Sequence, residues 1–387
     1  MSSMNIYRNF LLNVRKDANF KYIKQFTTAS NNPNDHTYQD VGKFYEIDKN
    51  DMTRWFPQGF SKYQHNLWNA LGKSHVMIRK SAVEMLTNIK SKIDFDQAPI
   101  KYILYGSYGN GKTSTLCHVM HYCYTQNWMV LHDIYGHSLN RKRKYPDLII
   151  NEDGSYSVPS FESQWLATFH LANYHLLDKF DLRLKEDVVW GTRDSSKAGN
   201  TWKSTIEMIV GKPKFASQGM KLLFRDIKEW VNQKKFKLLL AIDGVNSYGQ
   251  PTNIKTGHQR KDDRSTFSDS LEMVYFQCFD SFLSTDWTNG IILTTVDSIA
   301  DCRKCRHDRS LTTPVEILDK KMFYRFEPHI PIKVDDYSPY EFQNCLQYYH
   351  DVKYLQNNEA LTEEGMNEIK FLSTNNPRDI YRVLFSW

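Results

Sequence analysis

No stretch of this chain approaches the roughly 18 consecutive apolar residues that a membrane-spanning helix needs, so the expectation is a soluble or peripherally bound protein. Cysteine is scarce as well. There are six in 387 residues, and only Cys302 and Cys305 form a close pair. That argues against a disulfide framework and fits a reducing compartment. Charge of one sign is also lacking: 50 Lys and Arg against 44 Asp and Glu leave +6, too little to mark a nucleic-acid binder from bulk charge. No internal repeat or sustained low-complexity tract is present. What the chain does have is 14% aromatic and 24% charged residues, the composition of a folded protein. At about 150 residues per domain, its length predicts two to three domains.

The small net charge is unevenly placed. Residues 1–30 hold five bases (Arg8, Arg15, Lys16, Lys21 and Lys24) and one acid (Asp17), so 5 − 1 = +4 of the +6 lies there. A basic, acid-poor, weakly amphipathic opening has the composition of a mitochondrial targeting leader, with a frayed basic terminus as the plainer alternative. Asn31, Asn32, Pro33 and Asn34 then read as a linker or cleavage region.

Beyond the linker, short apolar runs alternate with helical spacing. Val76 to Lys92 places Ile78, Ala82, Met85 and Ile89 on one helical face. Ile100 to Tyr105 reads as a strand, followed by a glycine-rich turn and an apolar helix, and Trp128 to Leu131 reads as a second strand. Phe161 to Phe180 and Met220 to Val231 read as helices, while Lys237 to Asp243 and Ile291 to Val296 are continuous apolar runs. Fully apolar strands alternating with helices predict an α/β fold whose parallel sheet is covered on both faces.

Gly106 to Thr113, GSYGNGKT, fits the phosphate-loop pattern of Gly, four residues, Gly, Lys and Ser or Thr, between a strand and a helix. Gly106, Gly109 and Gly111 allow positive φ and turn successive N–H groups toward a phosphate, and the following helix points its positive end at the same place. Lys112 is the expected partner of the β- and γ-phosphates and Thr113 of a magnesium ion. Such a site also wants a carboxylate at a strand end. Asp243, closing LLLAID, supplies it, unless it only caps its strand.

A base for hydrolysis is less evident. Gly244 follows Asp243 where many ATPases carry Glu. Signalling GTPases would show Asp-x-x-Gly, but the fourth residue is Asn246; their guanine-reading motif is absent too, TTVD at Thr294 to Asp297 having Thr295 in place of lysine. Asn246 is open to two readings, a water-orienting amide or a turn former. Binding is therefore better supported than turnover, and any enzyme activity would be that of a weak GTP or ATP hydrolase.

Several strings in order resemble one family: FPQGFSKYQ (Phe56 to Gln64), MIRKSAVEML (Met77 to Leu86), YILYGSYGNGKTSTLCHVMHYC (Tyr102 to Cys123), LLLAIDGVN (Leu238 to Asn246), YSPYEFQNCLQYY (Tyr337 to Tyr349) and TEEGMNEIKFLSTNNP (Thr362 to Pro377). They resemble the death-associated protein family, P-loop proteins of the mitochondrial small ribosomal subunit, from about Gly42 onward. The resemblance implies a P-loop NTPase domain of the AAA+ and STAND type, placed in the head of the small subunit near the large one. It implies partnership with small-subunit proteins and rRNA, and a structural purine nucleotide, GTP/GDP or ATP, with magnesium. Its nucleotide residues fall on Gly106, Ser107, Tyr108, Gly109, Asn110, Gly111, Lys112, Thr113 and Ser114, and its metal side on Thr113 and Asp243. Pro377 in NNPRD resembles a turn that approaches the base, and Arg378 a sensor arginine. Arg79 resembles an arginine that opens related domains, with a solvent-facing helix arginine as the alternative.

The expected domains are a leader (1–30), an N-terminal extension with a leading helix (31–97), a P-loop domain (98–330) and a helical C-terminal region (331–387), in which Ser338 caps a helix that starts at Pro339. Basic loops at 140–145, 255–264 and 301–309 are solvated faces or rRNA contacts, with 141–144 the leading candidate for the latter. Cys302, Cys305 and His307 lack a fourth ligand partner in sequence, and free thiols are expected. The functional expectation is a structural mitoribosomal protein in the matrix that supports translation; the alternative is a switching NTPase in apoptotic signalling.

Overall fold

The computed structural model describes residues 28–384 apart from 58, 93–94, 134–135, 143, 256–266 and 301–311. Residues 1–27 of the expected leader, nearly all of the 255–264 loop, and the 301–309 loop with Cys302, Cys305 and His307 lie outside the described residues. The main elements in chain order are β1 (Phe44–Ile47), α1 (Lys62–Leu71), β2 (Ser74–Met77), α2 (Lys80–Ser91), β3 (Ile100–Tyr105), α3 (Lys112–Thr125), β4 (Met129–Asp133), α4 (Pro159–Lys179), α5 (Trp202–Gly211), α6 (Ala216–Asn232), β5 (Leu238–Ile242), β6 (Gly290–Thr295), β7 (Ile330–Lys333), α7 (Pro339–Asp351), α8 (Glu363–Ser373) and α9 (Pro377–Leu384). They fall into two compact units. The first takes the described residues up to Ser91, Gly106–Tyr122 and those from Lys333 on; the second takes Lys92–Tyr105 and Cys123–Ile332.

The second unit is built on a five-stranded sheet in the order β7-β3-β6-β5-β4. β3, β6, β5 and β4 are parallel, with Leu293 opposite both Tyr102 and Ala241, and Leu131 opposite Leu240. β4, β5 and β6 are buried at every position, and β5 reads as an unbroken apolar run for that reason, while β4 ends in the buried His132 and Asp133 and β6 in the buried Thr294 and Thr295. A large apolar cluster joins the sheet to α4, α5 and α6 through Trp165, Phe169, Ile206, Phe224 and Ile227. A strand of a parallel sheet followed in the chain by a glycine loop and a helix is the architecture of a P-loop NTPase domain.

An exposed sheet edge is a template for unwanted pairing, and at β4 a side chain closes it. Asn173, fully buried in α4, accepts the Val130 N–H at 3.2 Å and donates to the Val130 carbonyl at 3.2 Å and to Phe169 O at 3.1 Å. The helix thereby hydrogen-bonds to the strand's outward backbone as another strand would.

In the first unit, β1 and β2 form an antiparallel pair with Phe44 opposite Met77. Phe44 stacks on Tyr348 at 3.9 Å, within a core that includes Phe342, Leu346, Ile369, Ile380 and Leu384 of α7, α8 and α9. Ser338 and Glu341 complete a capping box at α7, with Pro339 at its first position, as the sequence predicts. The expected helix over Val76 to Lys92 is shorter. Val76 and Met77 are extended because they pair with Tyr45 and Phe44, and the helix starts at Lys80.

Three histidines are buried together in this unit, His118 and His121 on α3 and His36 ahead of β1. His36 Nδ1 lies 2.8 Å from His118 Nε2, and His121 stacks on Tyr45 at 5.7 Å. Burial holds all three below the ordinary histidine range, His121 at about 3. In the second unit burial acts on carboxyls with the opposite sign, raising Asp133 to about 6 and Glu162 to about 7.

Two predictions follow from these contacts. Replacing Asn173 by Leu leaves two backbone groups of β4 without partners, and a loss of about 3 kcal/mol is expected in denaturant unfolding. A histidine neutral in the fold takes up a proton on unfolding below about pH 6.5, so its contribution is complete above that pH and is lost as pH falls toward the folded value. H121F should therefore flatten the stability slope between pH 6.5 and 4 by about 1.4 kcal/mol per pH unit relative to wild type, measured by urea unfolding across the range.

Candidate nucleotide site

β3 runs directly into Gly106, and α3 begins at Lys112, so the glycine loop spans only the residues between a buried strand and a helix N-terminus. Gly106 (φ +138°) and Gly109 (φ +90°) occupy backbone conformations that side chains disfavour. Space excludes side chains too: a Cβ at Gly106 would lie 2.4 Å from Val334 O, and one at Gly109 2.7 Å from Asn376 Oδ1.

The loop's carbonyls are held one after another. The Lys112 ammonium donates to Gly106 O and Ser107 O, both at 2.9 Å. Tyr108 O accepts from Asn376 Nδ2 at 3.1 Å, Gly109 O from the Arg378 N–H at 3.2 Å, and Asn110 O from Arg79 Nη1 at 2.8 Å. In a trans peptide the N–H lies opposite its own carbonyl. Fixing the carbonyls of Tyr108 and Asn110 therefore turns the N–H groups of Gly109 and Gly111 away from those donors, while the Asn110 N–H donates to Ser107 O at 3.4 Å. The first N–H groups of α3 have no acceptor inside the helix. Backbone N–H groups, an ammonium and a threonine hydroxyl make a donor set suited to phosphate.

The other expected residues take defined places. The Ser107 backbone is held through Lys112, and the Tyr108 ring lies under the Arg378 guanidinium at 4.3 Å. Asn110 Nδ2 donates to Val334 O. Ser114 Oγ accepts from Gln64 Nε2 of α1 at 3.2 Å. Pro377 opens α9, and its neighbours Asn376 and Arg378 make the loop contacts.

Arg79 is not a solvent-facing helix arginine. It is 6% exposed, just ahead of α2. Besides Asn110 O, it donates to Glu341 Oε1 at 2.9 Å and to Asp335 O at 2.6 Å, and it packs 4.7 Å over the Tyr337 ring. The sequence signals neither this burial nor the loop tether of Asn376.

Asp243 belongs to the second unit. It follows β5, donates its N–H to Asp133 O at 2.7 Å and accepts the Thr295 hydroxyl at 2.5 Å. Thr295 Oγ1 also accepts the Gly244 N–H at 2.8 Å. Thr295, which in sequence merely fails to be a lysine, is thus the residue that steadies the acid. Gly244 stands at φ +75°, and a Cβ there would lie 2.7 Å from that of Ala300, so glutamate does not fit. Asn246 donates to Asp297 O at 2.9 Å and accepts its N–H at 3.0 Å, which decides its open reading in favour of a turn former. Asp133 accepts from Tyr248 at 2.7 Å, Tyr275 at 3.0 Å and the Gly136 N–H at 2.5 Å. The nearby acid and amide are therefore engaged in holding structure.

The 141–144 loop is only partly outward-facing. Arg141 donates to Ile299 O, while Lys142 and Lys144 are exposed.

Removing one partner of a buried ion pair leaves the other charge uncompensated. Glu341→Ala should cost about 3–5 kcal/mol in unfolding free energy, and the double variant Arg79→Met with Glu341→Leu appreciably less. Urea unfolding of both variants checks this.

The chain matches the family described as mitochondrial ribosomal death-associated protein 3 over residues 76–383. It is 31% identical over 361 residues to small ribosomal subunit protein mS29 of Bos taurus, covering 92% of this chain and 87% of that protein. It is 29% identical over 360 residues to the Mus musculus protein of the same name, covering 93% and 89%. Among solved structures, AMPPCP-bound DnaA from Aquifex aeolicus is similar at a TM-score of 0.34 and 15% identity, covering 84% of this chain and 65% of that one, just under two thirds of its length. That likeness is too low to bear on function. With its family match and its mammalian relatives agreeing over most of its length, the chain belongs to the mitochondrial ribosomal death-associated protein 3 family.

Proposed function

We propose that this protein is a structural component of the mitochondrial small ribosomal subunit that holds a purine nucleotide, GTP/GDP or ATP, with magnesium in the loop Gly106–Ser114, supporting translation with little or no hydrolysis. The observation that carries the nucleotide reading is the set of held carbonyls from Gly106 to Asn110. The ribosomal reading rests on family membership and the names of the relatives. Lys112 and the loop N–H groups would hold the phosphates, and Thr113 and Asp243 are the residues the sequence assigns to the metal. The nucleotide would supply negative charge that the loop's donors require, and so act as part of the fold. The engaged side chains around Asp243, with glycine at 244, support weak turnover. Small-subunit proteins and rRNA would be its partners in the mitochondrial matrix, with the large subunit across the interface.

Denaturing the purified protein and separating what is released should yield a purine nucleotide, and K112A should retain less than a tenth as much. Phosphate release by wild type should not exceed that of K112A; clear turnover would favour the switching NTPase instead. In a gradient of mitochondrial lysate the protein should travel with the small subunit, and a position at the top of the gradient would overturn the ribosomal reading.

A further inference from the structure

The residue before α9 uses its amide in two directions. Asn376 is 5% exposed. Its Oδ1 accepts the N–H groups of Arg378 at 3.2 Å and Asp379 at 3.4 Å, capping the helix. Its Nδ2 donates to Tyr108 O at 3.1 Å and to Asp336 Oδ1 at 2.9 Å. The chain reaches this point through Thr374 (φ 51°) and Asn375 (φ 60°), two successive non-glycine residues in the left-handed region, an uncommon arrangement. The Tyr337 N–H holds Asn375 O at 2.9 Å. A cap alone would not require asparagine, because serine caps comparably and is too short to reach the loop.

We propose that Asn376 is a positioning residue for nucleotide binding: by holding the Tyr108 carbonyl it sets the orientation of the Tyr108–Gly109 peptide before phosphate arrives. The proposal rests on the reading of Gly106–Ser114 as a nucleotide site. The physical need is specific to this peptide. Gly109, at φ +90°, lacks the steric limits that would keep a neighbouring peptide plane in place. A plane free to rotate would present carbonyl oxygen as readily as N–H to an anion. Setting it in the free protein removes an ordering cost from binding. Asn376 joins this task to the cap of α9, so one side chain fixes both the helix start and the loop.

Three variants separate the two roles, with Mg-GDP and Mg-ADP carrying a fluorescent ribose label as probes. N376S keeps the cap but loses the bonds to Tyr108 O and to Asp336 Oδ1, so affinity should fall about five- to tenfold, the loss of one neutral hydrogen bond to the loop, while thermal stability falls less than in N376A, which loses the cap as well. N376D keeps the cap acceptor but sets a carboxylate against both the Tyr108 carbonyl and the Asp336 carboxylate, so its affinity should fall at least as far and its stability further than that of N376S. N376A should lose both affinity and stability. Should N376S unfold, N376T, which also caps through its hydroxyl, carries the same comparison. Wild-type affinity in N376S or N376D overturns the proposal, as does a loss of affinity in N376A alone. If wild type binds neither probe, and K112A is no different, the nucleotide reading itself falls and the tether with it.

Discussion

Backbone carbonyls drawn away from water need donors, and in the first unit five in succession, Gly106 to Asn110, all buried or half-buried, find theirs in residues from three separate parts of the chain. Lys112 comes from the loop's own helix, Arg79 from the start of α2, and Asn376 and Arg378 from the corner between α8 and α9. Satisfying the loop therefore fixes where those segments meet. Arg79 extends the constraint through Glu341, whose other oxygen accepts the Ser338 N–H at 2.8 Å in the cap of α7. A guanidinium has five donors in a rigid fork, and here three of them join the loop to Glu341 in the first turn of α7 and to Asp335 O. Lysine in its place would offer a point charge without that geometry.

The second unit treats its polar groups with the same economy. Thr295 accepts from Gly244 and donates to Asp243; Asn246 and Asp297 close on one another; two tyrosines and a backbone amide surround Asp133. Each arrangement suits a carboxylate or turn that stays where it is. A general base needs an acceptor free to take a proton from water, and the neighbours of Asp243 named here spend their acceptors on protein donors.

Much of this architecture is legible in the sequence because it rests on strong local signals. Continuous apolar runs announce β5 and β6, the glycine pattern announces the loop, and Ser338 with Pro339 announces α7. Family strings carry the rest of the chain's identity. Failures occur where the deciding partner is remote. Ser74–Met77 is a strand because Phe44–Ile47 lies beside it, and nothing within those residues distinguishes it from a helix start. Arg79 looks like any surface arginine until Glu341, 262 residues away, is brought to it. Thr295 gains its role from the parallel ladder that sets Thr294 opposite Ile242 and so brings the next residue to Asp243. The string NNPRD suggests only a turn; the bond that Asn376 makes to the loop depends on a carbonyl 268 residues earlier.

The amide of Asn173 against β4 bears on how larger assemblies form around this protein. By using the outward N–H and C=O of Val130, it removes the hydrogen-bonding ladder that an incoming peptide would need to join the sheet there. Neighbours in a crowded particle are thus denied strand addition at that margin and must be recognised through side chains and loops. Pairing with a further copy of the chain is opposed at the same point.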